Sequence, residues 1–293
     1  MSIAGGLPLA IERARTHGCT TLQIFTKSAS QWRARPMPAG EIAAFRDLAD
    51  ASGVRPIVAH ASYLINIATA DSSLRAQSIA ALDEEIRRAD ALGLFGVVRH
   101  PGSRTTNSEA AALALIADAL KRLLAAHVDR RVMVLLEHTA GQGRSVGYTF
   151  EHLAAILEQL GGEPRVGVCL DTCHLFAAGF DLRTDEGYGA TFDRFSRLIG
   201  FDRLKLFHLN DSKKPCGSRV DRHEHIGRGC LGLEPFRRLL NDPRFAHLPM
   251  VIETQKSASR AGPRAVVDPL DAMNLRTLRS LMEQSGPGNS LAP

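Results

Sequence analysis

The sequence predicts an α/β fold, a (β/α)₈ barrel of which seven strands are legible. Three observations lead there. Short runs rich in Val, Ile, Leu and Phe recur along the chain without strict alternation, as parallel strands buried on both faces do. Longer amphipathic segments with helix-start and helix-stop residues lie between them. The 293 residues exceed the roughly 250 that a closed barrel uses.

Seven runs read as strands: Thr20–Thr26, Arg55–His60, Gly96–His100, Val132–His138, Val166–Asp171, Lys205–Asn210 and Met250–Thr254. The helical segments are Ser72–Leu92, which starts on Ser-Ser and stops at Gly93, then Asn107–Ala126, Thr149–Leu160, Leu233–Leu240 and Pro269–Gln284. No internal repeat or linker interrupts this order, so residues 1–284 are expected to form one domain. The polar Gly/Pro-rich stretch 285–293 is expected to be a disordered tail. Seven strands are one short of closure. A barrel of seven strands has an open seam and unpaired edges.

Composition excludes several classes. A hydrophobic fraction of 44% with 23% charged residues is that of a folded globular protein. No run approaches the roughly 18 apolar residues of a membrane span. The N-terminal stretch lacks the cationic region and cleavage site of a secretory signal, so a cytoplasmic location is expected. The net charge of +5 permits a nucleic-acid partner without demanding one, and 30 Arg against six Lys adds little. The five cysteines are odd in number and scattered, which speaks against a disulfide framework; Cys169 and Cys173 read as buried free thiols.

The strand ends carry the chemistry. His60, His100 and Glu137 end the second, third and fourth runs. Asp171 ends the fifth, with His174 three residues on. His208 and Glu253 lie near the ends of the sixth and seventh, and Asp221 and His223 sit in the loop between those two. In a barrel all these ends meet at one face. A single histidine there is usually structural, and a single Asp or Glu can cap the next helix. Strand after strand ending this way is better explained by metal ions, since imidazoles and carboxylates together suit Zn²⁺, Mn²⁺ or Fe²⁺. Nine donors suit two or three ions. Gly141–Gly147 fails the dinucleotide-loop spacing, and His223–His225 is not HExxH.

These residues fall in stretches that resemble the endonuclease IV family: Ala4–Leu7 (AGGL), Phe25–Lys27 with Gln31–Trp32, His60–Asn66 (HASYLIN), His100–Ser103 (HPGS) and Glu137–Gly143 (EHTAGQG). Leu170–Asp181 (LDTCHLFAAGFD), His208–Lys213 (HLNDSK), Gly217–Gly229 (GSRVDRHEHIGRG) and Ile252–Thr254 (IET) follow in the same order. The resemblance implies a TIM barrel with three Zn²⁺ ions that cleaves double-stranded DNA on the 5′ side of an abasic site, acting as a monomer. Family members carry a short strand directly before the stretch that begins here at Met1, so the resemblance implies a first strand that is missing or truncated, with either an upstream start or an open seam as the expectation. It implies His60 and His100 on one ion with Glu137 bridging to a second, which Asp171, His208 and Glu253 complete. His174, Asp221 and His223 would hold the third. Glu137, Asp171 and Glu253 would be the catalytic carboxylates, and Tyr63 and Leu64 would enter the base stack. Arg222, with Lys213, Arg219 and Arg228, would contact phosphates. Ser30 stands where well-known members carry an inserting Arg, and His138 where Asn is common. Trp32 is expected to pack its loop. A sugar isomerase or epimerase of the xylose-isomerase-like barrels is the alternative, but it would not require His174, Asp221 and His223. A damage-binding protein with a dead cluster is a third reading, and no ligand is missing.

Overall fold

The structure is a computed structural model that describes residues 1–257 and 267–283. Seven parallel strands form one sheet: β1 (Leu22–Ile24), β2 (Ile57–His60), β3 (Gly96–Arg99), β4 (Met133–Glu137), β5 (Val166–Asp171), β6 (Leu204–His208) and β7 (Met250–Val251). They pair in chain order from β1 to β7. The sheet curls into a barrel that is open between β7 and β1, as a seven-strand reading expects. A cavity of about 530 Å³ lies at that opening, lined by residues of both edge strands and of the last helix. The Met1 ammonium group donates to the Gln23 carbonyl at 2.5 Å on the β1 side.

Nine α-helices are present among the described residues: α1 (Pro8–Thr16), α2 (Ala39–Ser52), α3 (Ser72–Ala91), α4 (Glu109–Ala126), α5 (Phe150–Gln159), α6 (Thr172–Ala178), α7 (Asp185–Leu198), α8 (Glu234–Asn241) and α9 (Pro269–Leu281). None of the helices is long and apolar enough to cross a membrane. The cap of α3 is Asp71, whose carboxylate accepts from the N–H groups of Ser73 and Leu74, one residue before the expected Ser-Ser start. Gly93 ends that helix in the left-handed conformation, as expected. The sequence reading omits α1, α2, α6 and α7, and the expected tail at 285–293 lies outside the described residues.

Two apolar layers follow from strand periodicity. Side chains facing the helices, such as Ile57, Val97, Val134, Leu136 and Phe207, join the large outer core. There Phe207 meets Phe245, which in turn meets Phe192 of α7, with ring centroids 5.1 and 4.8 Å apart. Each such ring stabilises the fold by about 2–3 kcal/mol on burial. Facing inward, Val58, Val98, Leu135, Cys169, Leu206 and Val251 fill the barrel interior.

Candidate metal centre

Each inward-facing apolar residue is followed two positions later by a donor. Val58 precedes His60, Val98 precedes His100 and Leu135 precedes Glu137. Cys169, Leu206 and Val251 precede Asp171, His208 and Glu253. Because side chains alternate along a strand, the donors form the next ring above the apolar floor, at the C-terminal mouth. Asp171 also caps α6, its Oδ1 accepting from the His174 N–H at 3.0 Å. The capping explanation and the donor explanation therefore hold for one residue at once. The helix that Asp171 starts carries His174 back into the mouth.

Asp221 and His223 arrive differently. The chain after β6 pairs Asp211–Ser212 antiparallel with His223–Glu224, which folds the loop back over the mouth. Buried Asp211 anchors this return by accepting from the N–H groups of Ser212, Gly229 and Leu231 at 2.7, 2.9 and 2.9 Å. Burial pushes its carboxyl up, against the pull of those bonds. A Cβ at Gly229 would come within 2.4 Å of the Ser212 carbonyl, so the close approach requires glycine. At the other rim, Asn66 ties HASYLIN to HPGS. Its Oδ1 accepts from Ser103 N–H at 3.0 Å, its Nδ2 donates to Ser103 O at 2.7 Å, and a side chain at Gly102 would strike that Oδ1.

Donor atoms within 4.8 Å of one another form overlapping groups. His60, His100 and Glu137 form one, and Glu137, Asp171, His208 and Glu253 another. Asp171 joins His174 and His223, while Asp221 joins His223 and Cys173. The expected third set thus shares Asp171, and Asp221 also lies 3.2 Å from His174 Nε2 and 3.3 Å from His223 Nε2. Glu137 is the hub: His60 Nε2, His100 Nε2, His208 Nδ1 and His174 Nδ1 lie 3.1, 3.3, 3.0 and 3.3 Å from its oxygens.

The donor chemistry fits cations. His60 Nδ1 donates to the Ala61 carbonyl at 2.8 Å, and His174 Nδ1 to the His138 carbonyl at 2.9 Å. In a neutral ring that leaves each Nε2 lone pair aimed at a carboxylate, an arrangement that needs a positive charge between them. Nε2 of His174 and of His223 are buried without a hydrogen bond. Without ions, protons take that part. Burial disfavours charge on His174, but Asp171, Asp221 and Glu137 outweigh it and raise the ring well above its usual range. His208 is raised in the same way, burial being outweighed by Glu253 and Glu137, whose oxygens lie 3.2 and 3.0 Å from its Nδ1. Conversely, burial would raise Asp221, yet His174 and His223 bring it to about 2, and Glu137 is held low against burial by His208 and His100.

Two members of the site escape sequence reading. Gln23 of β1 reaches across the open seam: its Nε2 donates to Glu253 Oε1 at 2.5 Å, and its Oε1 accepts from His208 Nε2 at 2.9 Å. Asn210 donates to Asp171 Oδ2 at 2.6 Å and accepts from the Glu253 N–H at 2.8 Å. An amide at an inward strand position was the available signal for Gln23.

Tyr63 is exposed on the rim, its ring 5.2 Å from that of His60 and 5.9 Å from that of His100, while Leu64 beside it is half-buried. Arg222, Lys213 and Arg228 are exposed. Arg219 lies over the Tyr148 ring at 4.6 Å. Ser30 is exposed, and Trp32 packs partly buried against the core. His138 is buried between Phe150 and Phe180 and lowered to about 3, chiefly by burial, so it faces the core and not a substrate. Cys169 and Cys173 are buried, and burial pushes both thiols up to about 12.

The fold and mouth define a class. Residues 11–276 match the family model described as xylose isomerase-like TIM barrel. A solved D-psicose 3-epimerase, with TM-score 0.67 and 14% identity over 95% of this chain and 93% of the other, shares the fold. More particular relatives are a probable endonuclease 4 of Chloroflexus aurantiacus, 50% identical over 97% of this chain and 96% of that one, and its counterpart in Geobacter sulfurreducens, 48% identical over 97% and 93%. The crystal structure of endonuclease IV from Thermus thermophilus superposes with TM-score 0.82 and 36% identity over 96% of both chains. Within the xylose isomerase-like barrels, the chain belongs to the endonuclease IV family.

Proposed function

We propose that the chain is a metal-dependent apurinic/apyrimidinic endonuclease of base excision repair. It hydrolyses the phosphodiester 5′ to an abasic site in double-stranded DNA and leaves a 3′-hydroxyl and a 5′-deoxyribose phosphate. The observation that carries this is the ring of donors stepped two residues above the apolar floor of six adjacent strands, completed by His174, Asp221 and His223. In this reading His60, His100, Glu137, Asp171, His174, His208, Asp221, His223 and Glu253 hold three Zn²⁺ ions, with Mn²⁺ or Fe²⁺ able to replace some. The bound ions supply Lewis acidity and lower the pKa of the attacking water towards neutrality.

The chain's own residues do the rest. Glu137, Asp171 and Glu253 are acceptor-only groups, and the amides of Gln23 and Asn210 fix the last two in orientation. The apolar floor excludes water from below, so the charges of the mouth act on a phosphate with little screening. Tyr63 and Leu64 stand where a splayed duplex would meet the rim, and exposed Arg222 with Lys213 and Arg228 would hold flanking phosphates. The reading carries with it a monomeric enzyme in the cytoplasm, whose oligomeric state light scattering would check.

Incubation of metal-loaded protein with an end-labelled duplex carrying one abasic analogue tests the proposal. Cleavage on the 5′ side, abolished by prior chelation and restored by Zn²⁺, is expected. An intact duplex after incubation with fully loaded protein would overturn it.

A further inference from the structure

A buried polar knot stands beside the mouth, and the donor cluster does not use it. Glu85 lies on the inner face of α3, 1% exposed, where a carboxylate is rarely found unpaired. Its Oε2 accepts from Thr26 Oγ1 at 2.7 Å and its Oε1 from the Ser62 N–H at 3.4 Å, with Lys27 Nζ 3.6 Å away. Lys27 in turn donates to the carbonyls of Gln31 and Trp32 at 2.8 and 3.2 Å. Arg88 on the same helix donates to the Thr26 and Arg35 carbonyls at 2.5 and 2.8 Å. A direct tie runs from Ser62 Oγ to the Ala29 carbonyl at 2.6 Å.

Thr26 to Arg35 follow β1, and Ser62 to Leu64 follow β2. One helix therefore clamps two successive rim loops, and the second bears Tyr63 and Leu64. A buried ion pair of this kind is often no more stabilising than apolar side chains of the same volume, so stability alone does not account for it. What it supplies is a fixed spacing between loops that would otherwise be free to move independently.

We propose that Glu85 is a positioning residue for lesion recognition, holding the two rim loops so that Tyr63 and Leu64 are presented to DNA in one conformation. The claim rests on the reading of those two side chains given above. A preset rim lowers the ordering cost of binding and leaves the chemical step untouched, because the knot touches none of the nine donors. Loss of Glu85 should therefore appear in binding and duplex opening and not in turnover.

Steady-state incision by wild type, Glu85→Gln, Ser62→Ala and Thr26→Val tests this, alongside fluorescence of a 2-aminopurine placed opposite the abasic analogue. In Glu85→Gln, KM should rise about tenfold with kcat within about twofold, and the fluorescence gain on binding should shrink. Ser62→Ala, which removes the Ser62 Oγ bonds to the Ala29 carbonyl and the Leu64 N–H and leaves Glu85 bonded, should raise KM about threefold. Thr26→Val, which takes away the hydroxyl that Glu85 Oε2 accepts from at nearly constant volume, should also raise KM about threefold and decides the role of Glu85 if Glu85→Gln does not fold, an unchanged KM there overturning it. Unchanged KM and fluorescence overturn the proposal. So does a parallel loss of kcat and bound metal, which would mark Glu85 as a mere support of the fold. If wild type leaves the duplex uncut, the activity reading has failed, and the fluorescence titration alone decides the positioning claim: equal affinities for wild type and the three variants overturn it.

Discussion

Two sets of donors reach the mouth by contrasting routes. His60, Glu137, Asp171 and His208 are the last residues of strands paired on both sides, and all are buried. Asp221 and His223 sit on a folded-back loop held by a two-residue ribbon and by Asp211, and both are partly exposed. Strand pairing fixes the first set as part of the core, so its geometry comes with folding. The second set depends on a separate anchorage of backbone N–H groups on one carboxylate. A site can thus combine a rigid half with a half whose position is set locally.

Substitution separates the halves. Glu137→Gln, at the hub of the rigid half, should lower incision by about a thousandfold or more and strip most of the bound metal, read by metal analysis beside single-turnover rates. Asp221→Asn, in the loop half, should lower the rate by about a hundredfold while the protein keeps the ions of the strand-borne groups. Equal metal loss in the two variants would erase the distinction.

The smallest effect concerns the metal-free protein. His174 and His208 bind protons more tightly folded than unfolded. Their contribution to stability is therefore complete below the ordinary imidazole value of 6.5 and is lost as pH rises through their raised folded values. The depressed Asp221 and Glu137 act oppositely, contributing above the carboxylate range and losing that contribution as pH falls towards their folded values. Chelated protein should thus lose a few degrees of Tm, about 2–4 °C, between pH 6 and 9, whereas metal-loaded protein should not. Parallel melting curves with and without chelator would check this.

Much of the site was legible because the strand-borne donors stand at the ends of apolar runs, a pattern that needs only local sequence. Helix α6 was not, since Asp171 both ends β5 and caps the helix, leaving no boundary between strand and helix. Helix α7 contains Gly187 and Gly189, whose low helix propensity hides its pattern. Gln23 escaped for another reason: a lone amide in an apolar run has no periodicity, and its partners lie 185 and 230 positions away. The knot around Glu85 was equally hidden, because a charged residue in an amphipathic helix reads as solvated until the loops that cover it are in place.

The two bonds on Asp171 have a further consequence. One oxygen is engaged by the His174 N–H and the other by the Asn210 amide, so the carboxylate cannot turn about its own axis without breaking one of them. Its direction is settled when the chain folds, before any ion arrives. Loading and release of an ion at that point should then proceed without rearrangement of the carboxylate, as a key enters a lock whose pins are already set.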